Sequence, residues 1–178
     1  MAEITSVQPV QLVAGVLFAD KDLLPAVEAA LEQRFSEIDA RSPVYPFDMT
    51  GYYDDEMGQG LGRILYAFTE LVRPEEIVEI KLATNAVEKY FAYSGRRRVN
   101  IDPGYMDFHK LVLASAKFLG QKIHIAKGIY ADPTLYYDRG WKPYPWSFPD
   151  FKDGRYSEFL SRLRTAYKAK LRRSASAP

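Results

Sequence analysis

Cysteine is absent from the 178 residues of this chain, and histidine occurs only twice. The absence of cysteine excludes disulfides, thiolate catalysis, iron–sulfur clusters and cysteine zinc sites. Two histidines leave few nitrogen ligands for zinc. We therefore expect that any bound metal ion is held mainly by oxygen ligands.

An excess of charge of one sign is also lacking, because 24 lysines and arginines face 23 aspartates and glutamates. Such a chain has no strong field to attract nucleic acid or an anionic membrane, so electrostatic recognition must be local. No hydrophobic run approaches the roughly 20 residues that span a bilayer, and residues 1–6 lack the order of a signal peptide. These features predict a cytoplasmic protein that does not bind membranes.

Hydrophobic residues make up 47% of the chain, which is enough for a substantial core. We predict a single α+β domain over residues 1–171. The segment 172–178 has too little apolar content to pack, so a flexible tail is predicted there.

Hydrophobic periodicity predicts the order β-α-β-β-α-β before Pro103, which is the order of a ferredoxin-like core. The nearly continuous apolar run at 10–19 is typical of a buried central strand. The elements that follow it are a helix capped by Asp20 or Asp22 and ending near 35–36, a strand at 38–45, a strand at 63–72, a helix opened by Pro74 and stopped by Gly95, and a strand at 97–102.

Three additions to this core are predicted. They are an added helix, from the helical spacing of Phe108, Leu111, Val112, Ser115 and Leu119; a β-hairpin, in which Gly128 joins a strand around Ile123 and Ile125 to one at 129–137; and a C-terminal helix at about 155–171.

The segment 47–62 shows no clear period and is predicted as a loop with at most one helical turn. It holds four carboxylates within nine residues: Asp48, Asp54, Asp55 and Glu56. Magnesium and calcium prefer such oxygen ligands, although the spacing is not that of an EF-hand. A solvated loop whose carboxylates cap a helical turn is the alternative that spacing alone favours. The loop also contributes Tyr53 as a candidate ligand contact.

A cationic run, Arg96 to Arg98, enters the strand predicted at 97–102. Arginine binds phosphate or carboxylate through paired contacts, but strand alternation would divide these side chains between two faces. Arg97 is the candidate from this run. A solvated entry to the strand is the favoured alternative for the run as a whole.

At the other end of this strand, Asn100 and Asp102 share one face. We predict that Pro103 and Gly104 form a turn, so that Tyr105 just beyond it points to the same place. An Asp before Pro-Gly also fastens turns through its own side chain, and the two interpretations carry equal weight. Lys117 in the added helix and Tyr130 past the hairpin are further candidates, and the sequence does not establish that they converge.

Five segments together resemble the prokaryotic domain-of-unknown-function family 4416, over about residues 9–167. They are PFDMTGYYDDEMG at 46–58, RRVNIDPGY at 97–105, KLVLASAK at 110–117, GIYA at 128–131 and PWSFPD at 145–150. The family is uncharacterised, so the resemblance implies membership and no activity. Some members are labelled GTP-binding, but this chain has neither the phosphate-binding loop with its lysine nor an Asn-Lys-x-Asp motif.

The leading hypothesis is a small protein that binds an anionic or phosphorylated ligand, with or without a divalent cation such as magnesium. The ligand-binding candidates are Asp48, Tyr53, Arg97, Asn100, Asp102, Tyr105, Lys117 and Tyr130. The candidate metal ligands are Asp48, Asp54, Glu56 and Asp102. Whether the site is catalytic stays open at this point.

Two other classes of function are kept as alternatives. The first is an RNA-binding module, because ferredoxin-like sheets stack bases on exposed aromatic residues, although the near-neutral charge disfavours nucleic acid. The second is a non-catalytic assembly protein, which would use the aromatic and proline-rich segment 141–151 as a contact surface and could be homo-oligomeric.

Overall fold

The computed structural model describes residues 3–175, and in this range nine strands form one antiparallel sheet accompanied by five α-helices. The strands are β1 (Val10–Phe18), β2 (Ile38–Arg41), β3 (Tyr45–Pro46), β4 (Gly62–Val72), β5 (Val99–Met106), β6 (Lys110–Ser115), β7 (Ile123–Ala126), β8 (Ile129–Tyr137) and β9 (Trp141–Pro143). The helices are α1 (Leu24–Glu32), α2 (Asp54–Met57), α3 (Ile77–Phe91), α4 (Pro149–Lys152) and α5 (Ser157–Ala175).

Seven strands lie side by side in the order β2-β4-β1-β5-β6-β8-β7, with β3 next to β4 and β9 next to β8. The predicted mixture of helices and antiparallel strands is confirmed. The sheet is larger than the ferredoxin-like core that the sequence predicts. The described helices include none with both the length and the apolar character needed to cross a membrane.

The central strand β1 lies between β4 and β5, and all its residues are buried. Its side chains alternate between two cores. Ala14 and Val16 pack on one face with residues of α1 and α3, whereas Val13 packs on the other face with residues of α5. Both faces of the central sheet are therefore covered, as expected for the long apolar run.

The three long helices follow their predicted apolar stripes. In α1, Val27 and Leu31 are fully buried, and the Asp20 side chain caps the short 3-10 turn that precedes the helix. The second core is closed by α5, which extends to Ala175. Residues 172–175 of the predicted tail thus continue the helix, and residues 176–178 lie outside the described part of the chain.

The added helix predicted at 108–119 is wrong, because residues 110–115 form strand β6. Leu111 and Leu113 lie opposite residues of both β5 and β8, so β6 joins two parts of the sheet. Pairing on both sides satisfies the backbone hydrogen bonds of a short apolar segment as well as a helix would. Hydrophobic periodicity alone therefore does not distinguish a strand from a helix here.

The turn predicted at Pro103 and Gly104 is also wrong, because β5 continues through both residues to Met106. A Cβ atom on Gly104 would collide with the carbonyl oxygen of Val112 and lie 2.7 Å from Cδ2 of Leu113, so only glycine allows β6 to approach. Pairing with β6 begins at Gly104, one residue after Pro103, so the missing N–H of Pro103 does not interrupt the ladder between β5 and β6.

Candidate functional site

The sheet opens between β5 and β6. β6 pairs with Gly104 to Met106, whereas the first half of β5 is paired with β1 on its other side. On the open side, Lys81 of α3 donates to the carbonyl of Ile101 at 2.8 Å, and Glu88 accepts from the Ile101 N–H at 2.8 Å. Two side chains of α3 therefore satisfy the backbone that β6 leaves unpaired.

A cavity of about 360 Å³ lies at this opening, and we call it the pocket. Its walls come from the segment that carries α2, from α3, β4, β5 and β8, and from residues 113–122 and 147–151. The volume is within the range of small-molecule sites, although near its lower end. The pocket thus joins segments that are far apart in the sequence.

Arg63 lies at the inner side of the pocket and is almost fully buried. Its Nη1 donates to Oδ2 of Asp150 at 2.5 Å, and its Nη2 lies 3.4 Å from Oδ2 of Asp102. Its guanidinium carbon lies 4.7 Å from the centroid of the Phe47 ring. Burial acts to lower the pKa of Arg63, but Asp150 and then Asp102 raise it above its ordinary value. Arg63 therefore stays charged and orients Asp102.

Asp102 is the carboxylate that faces the pocket from β5, and 27% of its side-chain surface is exposed. Its Oδ2 also accepts from Nδ2 of Asn100 at 2.9 Å, and its Oδ1 lies 3.9 Å from Nζ of Lys81. Three neighbours thus hold the group in one orientation while part of it can still reach a ligand.

Arg97 connects α2 with the wall of the pocket through hydrogen bonds. Its Nε and Nη2 donate to the two carboxylate oxygens of Glu56, each at 2.6 Å, and its Nη1 donates to Oδ1 of Asn100 at 2.6 Å. Hydrogen bonding to Glu56 is the main reason that the pKa of Arg97 is raised, and the same bond lowers the pKa of Glu56. The pair stays ionised at neutral pH and holds the segment 47–61 beside the pocket.

Two lysines line the outer part of the pocket. Nζ of Lys117 donates to the Tyr52 hydroxyl at 2.7 Å and lies 4.8 Å from the centroid of that ring. Nζ of Lys122 donates to Oγ of Ser115 at 2.8 Å and lies 3.1 Å from Oδ2 of Asp132. In the described part of the chain, Lys117 is thus held by a neutral side chain.

Asp132 is a further carboxylate in the lining of the pocket and lies on β8. Burial raises its pKa above the ordinary value of 3.8, Lys122 opposes this shift, and Asp102 adds to it. A carboxyl group of this kind accepts a hydrogen bond from a ligand when ionised and donates one when protonated. The pocket therefore combines cationic groups with three carboxylates, Glu88, Asp102 and Asp132, in different environments.

A family model described as Domain of unknown function (DUF4416) matches residues 8–167. The chain belongs to this family. The predicted resemblance is confirmed, and the match spans every residue that lines the pocket. No significant match was found among curated proteins or among solved structures.

Five of the predicted ligand-binding residues line the pocket of this DUF4416 protein: Tyr53, Arg97, Asn100, Asp102 and Lys117. They come from the α2 segment, from the start of β5 and from the loop after β6. Tyr53 is buried, and this burial raises the pKa of its hydroxyl. Its ring lies 4.9 Å from that of Tyr52.

Tyr105 was predicted to point with Asn100 and Asp102, and this expectation is wrong. Because residue 105 lies within β5 and not beyond a turn, alternation directs its side chain to the opposite face, where it packs against the core beneath α1 and α3. Its burial there raises the pKa of its hydroxyl.

Asp48 and Tyr130 lie outside the lining of the pocket in this DUF4416 chain. Asp48 is exposed, lies 3.6 Å from Arg155 and borders a separate open cavity. Tyr130 is adjacent to the pocket, because its ring lies 5.9 Å from that of Phe118, which lines it.

Within the described residues, the structure does not bring three or more of the candidate metal ligands Asp48, Asp54, Glu56 and Asp102 together in one group. Across residues 3–175, no group of three or more acidic or histidine side chains is arranged to hold a metal ion. Glu56 is paired with Arg97, Asp102 with Arg63, and Asp48 lies near Arg155. Arginine partners thus occupy carboxylates that a cation would need.

Sequence reasoning missed Arg63, Lys81, Glu88 and Asp132 as members of the site. One signal was available for α3, since Lys81 and Glu88 are seven residues apart and fall on the same stripe as the buried Ile77, Thr84 and Val87. Charged residues on an apolar stripe require buried partners, which points to a polar interior beside that helix.

Proposed function

We propose that the protein binds a small organic molecule through an anionic group held by Lys117 and Lys122 in the pocket. The observation that carries this proposal is the difference between the cations of the pocket. Arg63, Arg97, Lys81 and Lys122 each lie within 4 Å of a carboxylate oxygen, whereas the ammonium of Lys117 has the neutral Tyr52 hydroxyl as its hydrogen-bond partner in the described structure. Lys117 is therefore the main anion contact, and Lys122 would share its charge between Asp132 and the ligand. An anion replaces such a neutral partner with a stronger, charge-assisted one.

Away from Lys117, the ligand would meet carboxylates. Asp102 and Asp132 both face the pocket, and Thr134 and Asn85 lie in the same lining. These groups accept hydrogen bonds, so they suit hydroxyl or amino groups on the ligand. The proposal needs no divalent cation, because the lysines supply the positive charge.

The fold supports a second, structural part of the proposal. We infer that β1, α1, β2, β4, α3 and β5 are a ferredoxin-like core to which the other strands and α5 were added. The order β2-β4-β1-β5 and the antiparallel pairing of these neighbours support this assignment, as does the packing of α1 and α3 on one face.

RNA binding on this core receives less support. Ferredoxin-like RNA-binding sheets present exposed aromatic residues on the face opposite their helices. Here the second face packs Val13, Leu65 and Met106 against α5. The described strands of the core therefore lack an open platform for bases, and the small-ligand proposal fits the pocket better.

The experiment is a titration of the ¹⁵N-labelled protein with inorganic phosphate and, separately, with acetate, followed by NMR chemical shifts. The expected result is saturable binding of at least one anion, with shifts at residues 113–122. Lys117→Gln and Lys122→Gln each remove one charge-assisted contact and should weaken binding about tenfold.

The matched control is Lys168→Gln, which removes an exposed lysine on α5. It should leave the affinity unchanged. The proposal is wrong if neither anion binds, or if the control weakens binding as much as the two pocket variants do.

A further inference from the structure

Aromatic and aliphatic side chains border the part of the pocket that holds Lys117. Four of them line the pocket and are nevertheless exposed: Tyr52 (56%), Phe118 (73%), Leu119 (55%) and Phe148 (39%). We call these four residues the rim. Single exposed apolar residues are ordinary on a protein surface, but a group that borders a cavity marks a binding surface.

The rim and the lysines form one unit. Lys117 is bonded to the hydroxyl of Tyr52 and precedes Phe118 in the chain. The Tyr52 ring contacts the Phe148 ring edge to face, with centroids 5.9 Å apart. An anion on Lys117 therefore lies within contact distance of aromatic rings from different segments.

Most of the other residues that line the pocket are polar, and the apolar ones among them are Tyr53, Leu113, Ala114, Ala116 and Phe151. The rim holds the large apolar side chains that are exposed, so it is where an apolar group would gain most from burial. The inner walls present Arg63, Lys81, Glu88, Asp102 and Asp132, which would be costly to cover with hydrocarbon. A ring placed on the rim avoids this cost and buries apolar surface of both partners.

We propose that the ligand is an aromatic anion, in which a flat ring lies within a few bonds of the phosphate or carboxylate. This inference rests on the proposed function, since it assigns the chemistry next to the anion held by Lys117 and Lys122. A protein partner on the rim is the competing occupant. The small ligand is favoured because the rim borders a concave pocket whose cations lie beside the rings.

The test compares ligands that differ in one part. Isothermal titration calorimetry measures the affinity of two pairs of ligands. The first pair is phenyl phosphate and glycerol phosphate, which carries the same anionic group on a polar chain. The second pair is benzoate and acetate. In the pair whose anion binds, the ring-bearing member should bind about tenfold more tightly. Phe118→Ala and Phe148→Ala should remove most of this preference, so that the two members of the pair bind with similar affinity.

Tyr90→Ala is the control, because Tyr90 is an exposed aromatic residue (80%) on α3 that does not belong to the rim. It should keep the full preference for the ring. Equal affinities within both ligand pairs would overturn the aromatic assignment and leave the proposed function standing, whereas absence of binding by all ligands would overturn both.

The competing occupant is tested with the same variants. Light scattering after size-exclusion chromatography should give the same mass for the wild type, Phe118→Ala and Phe148→Ala. If the wild type is an oligomer that these two variants dissociate, the rim is a protein interface and the proposal is wrong.

Discussion

The ammonium of Lys81 donates a hydrogen bond to the backbone carbonyl of Ile101 at 2.8 Å. Glu88 accepts a hydrogen bond from the N–H of the same residue, and both side chains are buried. Helix α3 thus takes the place of a strand along the first half of β5. Because α3 bonds this part of the β5 backbone, β6 does not pair with it, and the pocket lies in the space between the two strands.

Lys81→Met tests this role. Methionine fills similar space, but it leaves the Ile101 carbonyl without its donor and removes one of the two cations beside the buried Glu88, which keeps Arg97. The free energy of unfolding in urea should fall by about 3 kcal/mol. Lys89→Met changes an exposed lysine on the same helix and should alter it by less than about 0.5 kcal/mol. Equal effects of the two variants would contradict the role of Lys81.

Gly104→Ala tests the close approach of β5 and β6. The new methyl group would collide with the Val112 carbonyl, so the strands must separate. We expect a loss of at least about 2 kcal/mol in the free energy of unfolding, measured by urea denaturation. Gly120→Ala is the matched control, since a Cβ there meets no atom within 4 Å. A Gly104 variant as stable as this control would show that the contact is not close.

Glu56→Gln tests the attachment of α2 to the pocket wall. The variant keeps the size of the side chain but loses the bidentate ion pair with Arg97. Because the pair is partly exposed, we expect a stabilisation of about 0.5 to 1 kcal/mol to be lost. Amide hydrogen exchange in residues 51–58 should become roughly three- to fivefold faster. Asp55→Asn removes the same charge from an exposed position on α2 and should leave exchange nearly unchanged.

Asp132→Asn tests the electrostatics of the pocket with sulfate, whose charge is constant over the pH range used. Burial raises the pKa of Asp132, so lowering the pH from 7 toward 4 protonates this group and removes a negative charge beside Lys122. Sulfate affinity of the wild type should therefore rise as the pH falls. The variant should bind sulfate about threefold more tightly at pH 7 and show a smaller dependence on pH.

A wild-type affinity that is constant over this range would contradict the assigned role of Asp132. Lys122 lies 3.1 Å from Asp132, so the negative charge that is lost is the one paired with this lysine. Asp138→Asn provides a control, because Asp138 is an exposed carboxylate paired with Lys142 in the region between β8 and β9.

The elements that sequence predicted correctly are those whose pattern is local. The apolar run of β1, the stripe of α5 and the Gly128 turn between β7 and β8 each depend on neighbours within a few residues. By contrast, β6 and the end of β5 depend on pairing with distant strands. Helical spacing at 108–119 and a Pro-Gly pair were therefore misleading signals.

The residues of the candidate site show the same difference between local and long-range interactions. Alternation in a strand correctly placed Asn100 and Asp102 on one face, and their pairing follows from this geometry. Tyr105 was assigned to that face because a turn was expected after residue 102. Arg63 was not predicted as a site residue, because its partner Asp150 is 87 residues away in the chain.

By itself, the sequence determined the absence of thiol chemistry, the mixed fold, the main helices and the polar face of β5. Only the tertiary structure decided that β5 and β6 separate, that α3 covers the open edge, and that Lys117 contacts the aromatic rim. The physical reason is the range of the interactions. Local periodicity reports which side of an element is buried, whereas the partner of Arg97 is Glu56, 41 residues earlier, and only folding brings them together.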